Sequence, residues 1–188
     1  MELTGGLRSV RRTKHAGRKL AEILEKHDRF HRNHPGGEQA DLSGANLSRV
    51  DLTGANLTRA ILRGANLEEA DLRGSRLTFA DLSGANLRRT DLRNTDMTEA
   101  ALPGADLREA QASGVEFFRC DLSKTDFRQA NLRNANFRAA NVNGAKFSGA
   151  DMGVAILRET DLTGADLAGV DLTTALMPRS AAATALKQ

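Results

Sequence analysis

Residues 40–74 read ADLSGANLSRVDLTGANLTRAILRGANLEEADLRG, and nearly every fifth residue from position 42 is leucine. A period of five is neither the 3.6 of a helix nor the 2 of a flat strand. The frame runs from Ala40 to Arg179 without insertion or deletion, 140 residues or 28 units of five. Its centre is leucine from Leu42 to Leu107, with Met97 the one exception. It then reads Ala112, Phe117, Leu122, Phe127, Leu132, Phe137, Val142, Phe147 and Met152, and ends on Leu157, Leu162, Leu167, Leu172 and Met177. An internal repeat of this length decides the fold before any other signal is read.

Two of the five columns are restricted. The centre is large and apolar, and the residue two before it is small, mostly alanine. Inward residues two apart obey the strand rule, so the three polar residues that follow each other must contain a bend. A short extended piece and a corner, repeated, coil the chain into a tube. Four sides of five residues give a turn of twenty, and residues twenty apart should then stack about 4.8 Å from each other. The outer columns agree: Arg49, Glu69, Arg89 and Glu109 alternate in sign, as do Glu99 with Arg119 and Glu159 with Arg179. Gly44, Gly64, Gly84 and Gly104 mark one corner; Gly54, Gly74, Asn94 and Gly114 mark the opposite one. Glycine and asparagine accept the positive φ of a tight turn.

On these residues the chain resembles the pentapeptide-repeat family, whose pattern is A(D/N)LXX. The resemblance implies an all-β fold, a right-handed quadrilateral parallel β-helix (solenoid) of about seven coils. Such a rod would be roughly 34 Å long at about 4.8 Å per coil. Its core stack is expected to include Leu42, Leu47, Leu52 and Leu57 at one end and Phe117, Phe127, Phe137 and Phe147 further on. Cys120 falls in the small inward column and reads as core filler, not as a reactive thiol.

The resemblance says less about function, because one fold hosts many activities. Some relatives are fluoroquinolone-resistance proteins that imitate duplex DNA and bind type II topoisomerases. Charge argues against that here. Residues 40–179 carry 19 acidic and 17 basic side chains, a net of −2. Duplex DNA of the same length would carry on the order of twenty charges. Arg88, Arg108 and Arg128 form a basic stripe in one outward column, and Arg73, Arg93 and Arg133 line the next side. Asp71, Asp91, Asp106, Glu109 and Asp126 lie beside them, so a solvated, partly neutralised face is expected. Outward aromatics are limited to Phe79 and Phe118, too few for base stacking, and nucleic acid is not expected as a partner. The reading is a non-enzymatic scaffold for a protein partner; the alternative is a DNA-mimicking modulator of DNA gyrase.

Enzyme chemistry has little to stand on. All four histidines (15, 27, 31 and 34) precede the repeats, and a coil of this kind has no cleft. His27, His31 and His34 have helical ligand spacing but no second cluster, so no catalytic, cofactor or metal residue is assigned. A single cysteine, no apolar run long enough to span a membrane and no signal-peptide core point to the cytoplasm.

Three segments follow: 1–39, the repeats at 40–179, and a tail at 180–188. The first carries nine Lys/Arg against five Asp/Glu. Its residues 18–33 read as an amphipathic helix with Leu20, Ile23, Leu24, His27 and Phe30 on one stripe. An N-terminal α-helical cap over Leu42, Leu47, Leu52 and Leu57 would cover the open end of the coil. The alternatives are a basic handle for a membrane surface or partner, and a flexible arm. At the other end Val154, Ile156 and Leu176 are outward and apolar, and Leu172 and Met177 belong to the last core layer. That clustering predicts a homodimer through the C-terminal coils.

Overall fold

The protein is described by a computed structural model covering residues 6–177. From Asp41 to Leu176 the backbone forms a ladder of single parallel bridges, each joining residues twenty apart. Asp41 pairs with Ile61, Asn46 with Asn66, Asp51 with Asp71 and Asn56 with Arg76, one bridge on each of four sides, and the pattern then repeats upward. This is a four-sided parallel β-helix, and its sides are named here by their first centre residues: Leu42, Leu47, Leu52 and Leu57.

Below the last coil the units hydrogen-bond in the same way. Asp81 N–H donates down to the Ala60 carbonyl, and Leu62 N–H donates up to the Asp81 carbonyl. The Asp/Asn column exists for a local reason. Its side-chain oxygen accepts the N–H two residues on, as Asp41 does from Ser43 at 3.0 Å and Asn46 from Ser48 at 3.2 Å. Wherever Asp or Asn stands in the column, such an Asx turn satisfies a backbone donor at the bend.

The interior is filled by side chains. The centre residues are fully buried from Leu42 to Leu157, and Phe117, Phe127, Phe137 and Phe147 make two interleaved stacks. Ring centroids are 5.1 Å apart for Phe117–Phe137 and for Phe127–Phe147. The small column does more than leave room. Thr90, Thr95, Thr125 and Thr160 each donate a hydroxyl hydrogen bond to the carbonyl 23 residues back, at 2.6–2.8 Å. Ser75 is the buried hydroxyl there without a partner.

All four corners take positive φ. Two of them are mostly glycine and asparagine, with Lys124 and Val154 the exceptions, whereas the other two are built mainly from residues such as Arg49, Glu69, Phe79 and Arg119, at φ 55–59°. Val154, β-branched at φ 59° in the column of Gly54 and Asn134, is the most strained of all the corner residues.

Before the coils lie a two-residue ribbon, β1 (Lys14–His15) and β2 (Arg18–Lys19), and one helix, α1 (Leu20–His31). The helix expected over 18–33 begins two residues later, because the Ala16–Gly17 turn holds Arg18 and Lys19 in antiparallel pairing with β1. It stops at Arg32, and Asn33 follows in the left-handed region. Gly37 then passes so close to Phe30 that a Cβ would lie 2.3 Å from the Phe30 nitrogen.

Helix and leading strand share the first coil between them. Leu20 and Ile23 join the core, and buried His27 accepts a hydrogen bond from Ala40 N–H through Nδ1 at 3.0 Å. His31 Nε2 donates to the Thr58 carbonyl, and Gln39 to that of Arg59. On the Leu52 side Arg8 adds a parallel bridge to Val50, receiving the Asp51 N–H at 3.0 Å.

Candidate interaction surfaces

The six arginines expected to form a stripe lie on adjacent sides, Arg88, Arg108 and Arg128 on the Leu47 side and Arg73, Arg93 and Arg133 on the Leu52 side. Each has an acid within 4 Å. The residue two places earlier decides which acid. Where it is aspartate, the guanidinium folds back on it in a bidentate fork: Arg73 on Asp71, Arg93 on Asp91, Arg108 on Asp106, Arg128 on Asp126, at 2.6–2.7 Å. Where it is asparagine, the arginine reaches the next coil: Arg88 to Glu109 at 3.0 Å and Arg133 to Asp151 at 3.4 Å. Burial favours the neutral acid at Asp71 and Asp106, yet the arginine beside each outweighs it and holds the carboxyl below its ordinary range. The arginines rise correspondingly. A neighbouring corner column stacks Arg49, Glu69, Arg89 and Glu109 at 3.8, 3.6 and 2.9 Å. The sequence carried the signal for fork or reach in Asp-Leu/Phe-Arg against Asn-Leu-Arg.

The Leu57 side differs. Arg59 lies over the half-exposed ring of Phe79, with its guanidinium carbon 5.6 Å from the centroid, and Arg119 and Arg138 both approach Phe118. The same side continues into Ile156, bridged to Leu176 above it.

At the top, backbone pairing thins. Of the four sides, Lys146↔Asp166 and Ile156↔Leu176 remain bridged to the last coil, and the equivalents on the Leu42 and Leu52 sides do not. Leu162, Leu167, Leu172 and Met177 are only half-buried. Val154 and Leu176 are exposed nearby. Arg179 and the tail fall outside the described residues.

Cys120 is buried, its thiol pushed up to about 12 by desolvation, with Sγ directed at the Met97 carbonyl. Of the three histidines with helical spacing, His27 and His31 spend a ring nitrogen on the first coil's backbone.

Comparison with known families fits this geometry. A family model for pentapeptide repeats matches residues 40–78 and 75–111, and a second, for a pentapeptide repeat region, matches residues 96–172. The chain belongs to the pentapeptide repeat family. Among solved pentapeptide-repeat structures, a trypsin-treated form of QnrB1, a plasmid-mediated fluoroquinolone resistance protein, superposes with a TM-score of 0.65. It is 22% identical over 79% of this chain and 81% of its own, a likeness of fold. HetL, a pentapeptide repeat protein involved in heterocyst differentiation regulation in the cyanobacterium Nostoc, is 32% identical over 74% of this chain and 86% of its own, with a TM-score of 0.39. No curated protein sequence matches the chain. No helix among the described residues is long and apolar enough to cross a membrane.

Proposed function

We propose that this pentapeptide-repeat protein is a non-enzymatic scaffold in the cytoplasm. Its seven right-handed coils, residues 40–179, are capped by the helix of segment 1–39, and it binds protein partners through its outer columns. The observation that carries the reading is the sealed interior from Leu42 to Leu157, which leaves chemistry to the surface alone. A rod whose columns hold side chains at fixed spacing is a recognition surface, not a reaction vessel. The stripe arginines serve such a partner as ion-paired, shape-determining groups.

The first partner is a second copy. The half-buried last layer, Leu172 and Met177 included, lies beside exposed Val154 and Leu176 and beside Ile156. Leaving that layer wet costs roughly 25 cal/mol for every Å² of apolar surface. Docking two C-terminal coils end to end covers it. Light scattering over a dilution series tests this: a dimer mass that falls to the monomer in Leu176→Asp is expected. A monomer at every concentration, unchanged by the substitution, defeats it.

The rod shape shared with QnrB1 favours one other reading, modulation of a type II topoisomerase by resemblance to duplex DNA. The near-neutral coils oppose it. A gyrase supercoiling assay separates the two, since potent inhibition or protection from a quinolone would reverse the ranking.

A further inference from the structure

Along the coils this chain sets an acid beside each stripe arginine; between residues 6 and 20 it does the opposite. That segment contains Arg8, Arg11, Arg12, Lys14, Arg18 and Lys19 and no acidic residue. It is built, not loose. Thr13 is buried, donates through its hydroxyl and its N–H to the Ser9 carbonyl, and accepts the Leu20 N–H at 2.8 Å. Arg8 is fixed by its bridge to Val50.

The ribbon has two electrostatically different sides. His15 pairs across it with Arg18, and Arg18 reaches Glu38 at 2.9 Å, so that side is answered by the protein. Lys14 pairs directly with Lys19 on the other. Like charges facing each other across a ribbon destabilise it. Among the described residues no acid lies within 4 Å of Arg11, Arg12 or Lys14, and the one acid near Lys19 is Glu22, 4.0 Å away. All four cations are exposed. Folding gains nothing from this arrangement, and an external polyanion would relieve it.

We infer that Arg11, Arg12, Lys14 and Lys19 form a binding surface for the phosphate backbone of duplex DNA, without sequence preference. A bilayer is the poorer occupant, because membrane-surface helices insert an apolar face and α1 has spent Leu20, Ile23 and His27 on the first coil, leaving Phe30 as its one exposed large apolar residue. An acidic protein is poorer too, since protein interfaces centre on a buried apolar anchor and the outward apolar residue of this segment is Leu7 alone. Duplex DNA asks only for clustered cations on a narrow support. A two-stranded ribbon enters its major groove, about 12 Å wide, whereas the A-form groove of RNA is too deep and narrow. This departs from the sequence-based expectation of no nucleic-acid partner: the coil arginines are neutralised by neighbouring acids, and Arg11, Arg12 and Lys14 are not. The inference stands apart from the scaffold reading.

The test is fluorescence anisotropy of a labelled DNA duplex titrated with the full chain over a series of salt concentrations. Neutralising four phosphates predicts a slope of log K against log salt of about −3 to −4, with affinity near micromolar or weaker at physiological salt. Arg11→Ala/Arg12→Ala should flatten the slope by about 2, and Lys14→Glu should weaken binding further without lowering the thermal melt. Arg108→Ala on the coil should leave binding unchanged. A slope near zero, an unaffected Arg11/Arg12 double variant, equal binding to duplex RNA, or binding to anionic vesicles without binding to DNA each overturns the inference.

Discussion

His27→Ala is expected to loosen the first coil by about 2–4 kcal/mol. The imidazole is fully buried, and its Nδ1 accepts the Ala40 N–H at 3.0 Å. Truncation leaves that donor without a partner, a loss of about 1–3 kcal/mol. It also removes the ring from its contacts with Phe30 and His31, centroids 6.2 and 4.9 Å away, together worth roughly another 1 kcal/mol. In a solenoid each coil touches only its neighbours, so the damage should stay local. Amide hydrogen exchange reads it directly: protection should fall at Ala40 and at Ile61, which donates to the Ala40 carbonyl. The upper coils around Phe127 should keep theirs. The same site predicts a pH effect. Burial, and then the nearby His31, lowers the His27 pKa below 6.5, against weaker opposition from Asp28; the Thr58 carbonyl is taken by His31, and His27 Nε2 has no hydrogen-bond partner. The unfolded chain therefore takes up the proton first. Stability contributed by His27 is complete above about pH 6.5 and declines as the pH falls below it, until the folded imidazole titrates as well. No single group can give a slope steeper than about 1.4 kcal/mol per pH unit. His27→Ala should remove that dependence. Unchanged protection at Ala40 in the variant, or a wild-type first coil indifferent to pH below 6.5, would refute the reasoning.

Val154→Asn should stabilise the protein by about 1 kcal/mol, visible as a higher urea midpoint, because asparagine tolerates the left-handed backbone that valine resists. Thr125→Val should cost about 1 kcal/mol by deleting the hydroxyl bond to Leu102, whereas Ser75→Ala, whose oxygen has no partner, should be neutral or slightly stabilising. Ala112, the one small centre residue, is fully buried, so Ala112→Leu should be neutral or destabilise by about 1–3 kcal/mol through overpacking. A clear gain in its melting temperature would mean that the tube is under-filled there.

The coils were legible because their two inward columns are set by volume, and volume shows in residue type. Leu beside Ala every five residues admits few other folds. The glycine corners were legible for the same steric reason. The other two corners were not, since Arg49, Glu69 and Phe79 give no hint of positive φ; they adopt it because the flanking sides impose it. The ribbon at Lys14–Lys19 escaped notice because two-residue strands leave no alternation to detect. Its charges were visible, but pairing them across a turn required coordinates. At the candidate surface, the stripe residues could be named from spacing, whereas their neutralisation depended on which acid each guanidinium reaches. The aspartate or asparagine two places earlier would have told this in advance.

The twenty-residue register of the bridges has a consequence for how such a chain can change its length. Losing or duplicating twenty residues would shorten or extend the rod by one storey and leave every column above it in place. Losing five would turn everything downstream by a quarter revolution. With the loss between Arg88 and Arg128, Arg128 would stand on a different side from Arg88, and the apolar group at Ile156 and Leu176 would face a new direction relative to the N-terminal ribbon. The interior would hardly register the event, because every side fills it with the same two columns. An insertion of one unit is thus a rotation of the surface carried out with almost no disturbance of the core, and two rods of equal stability can present quite different faces to the same partner.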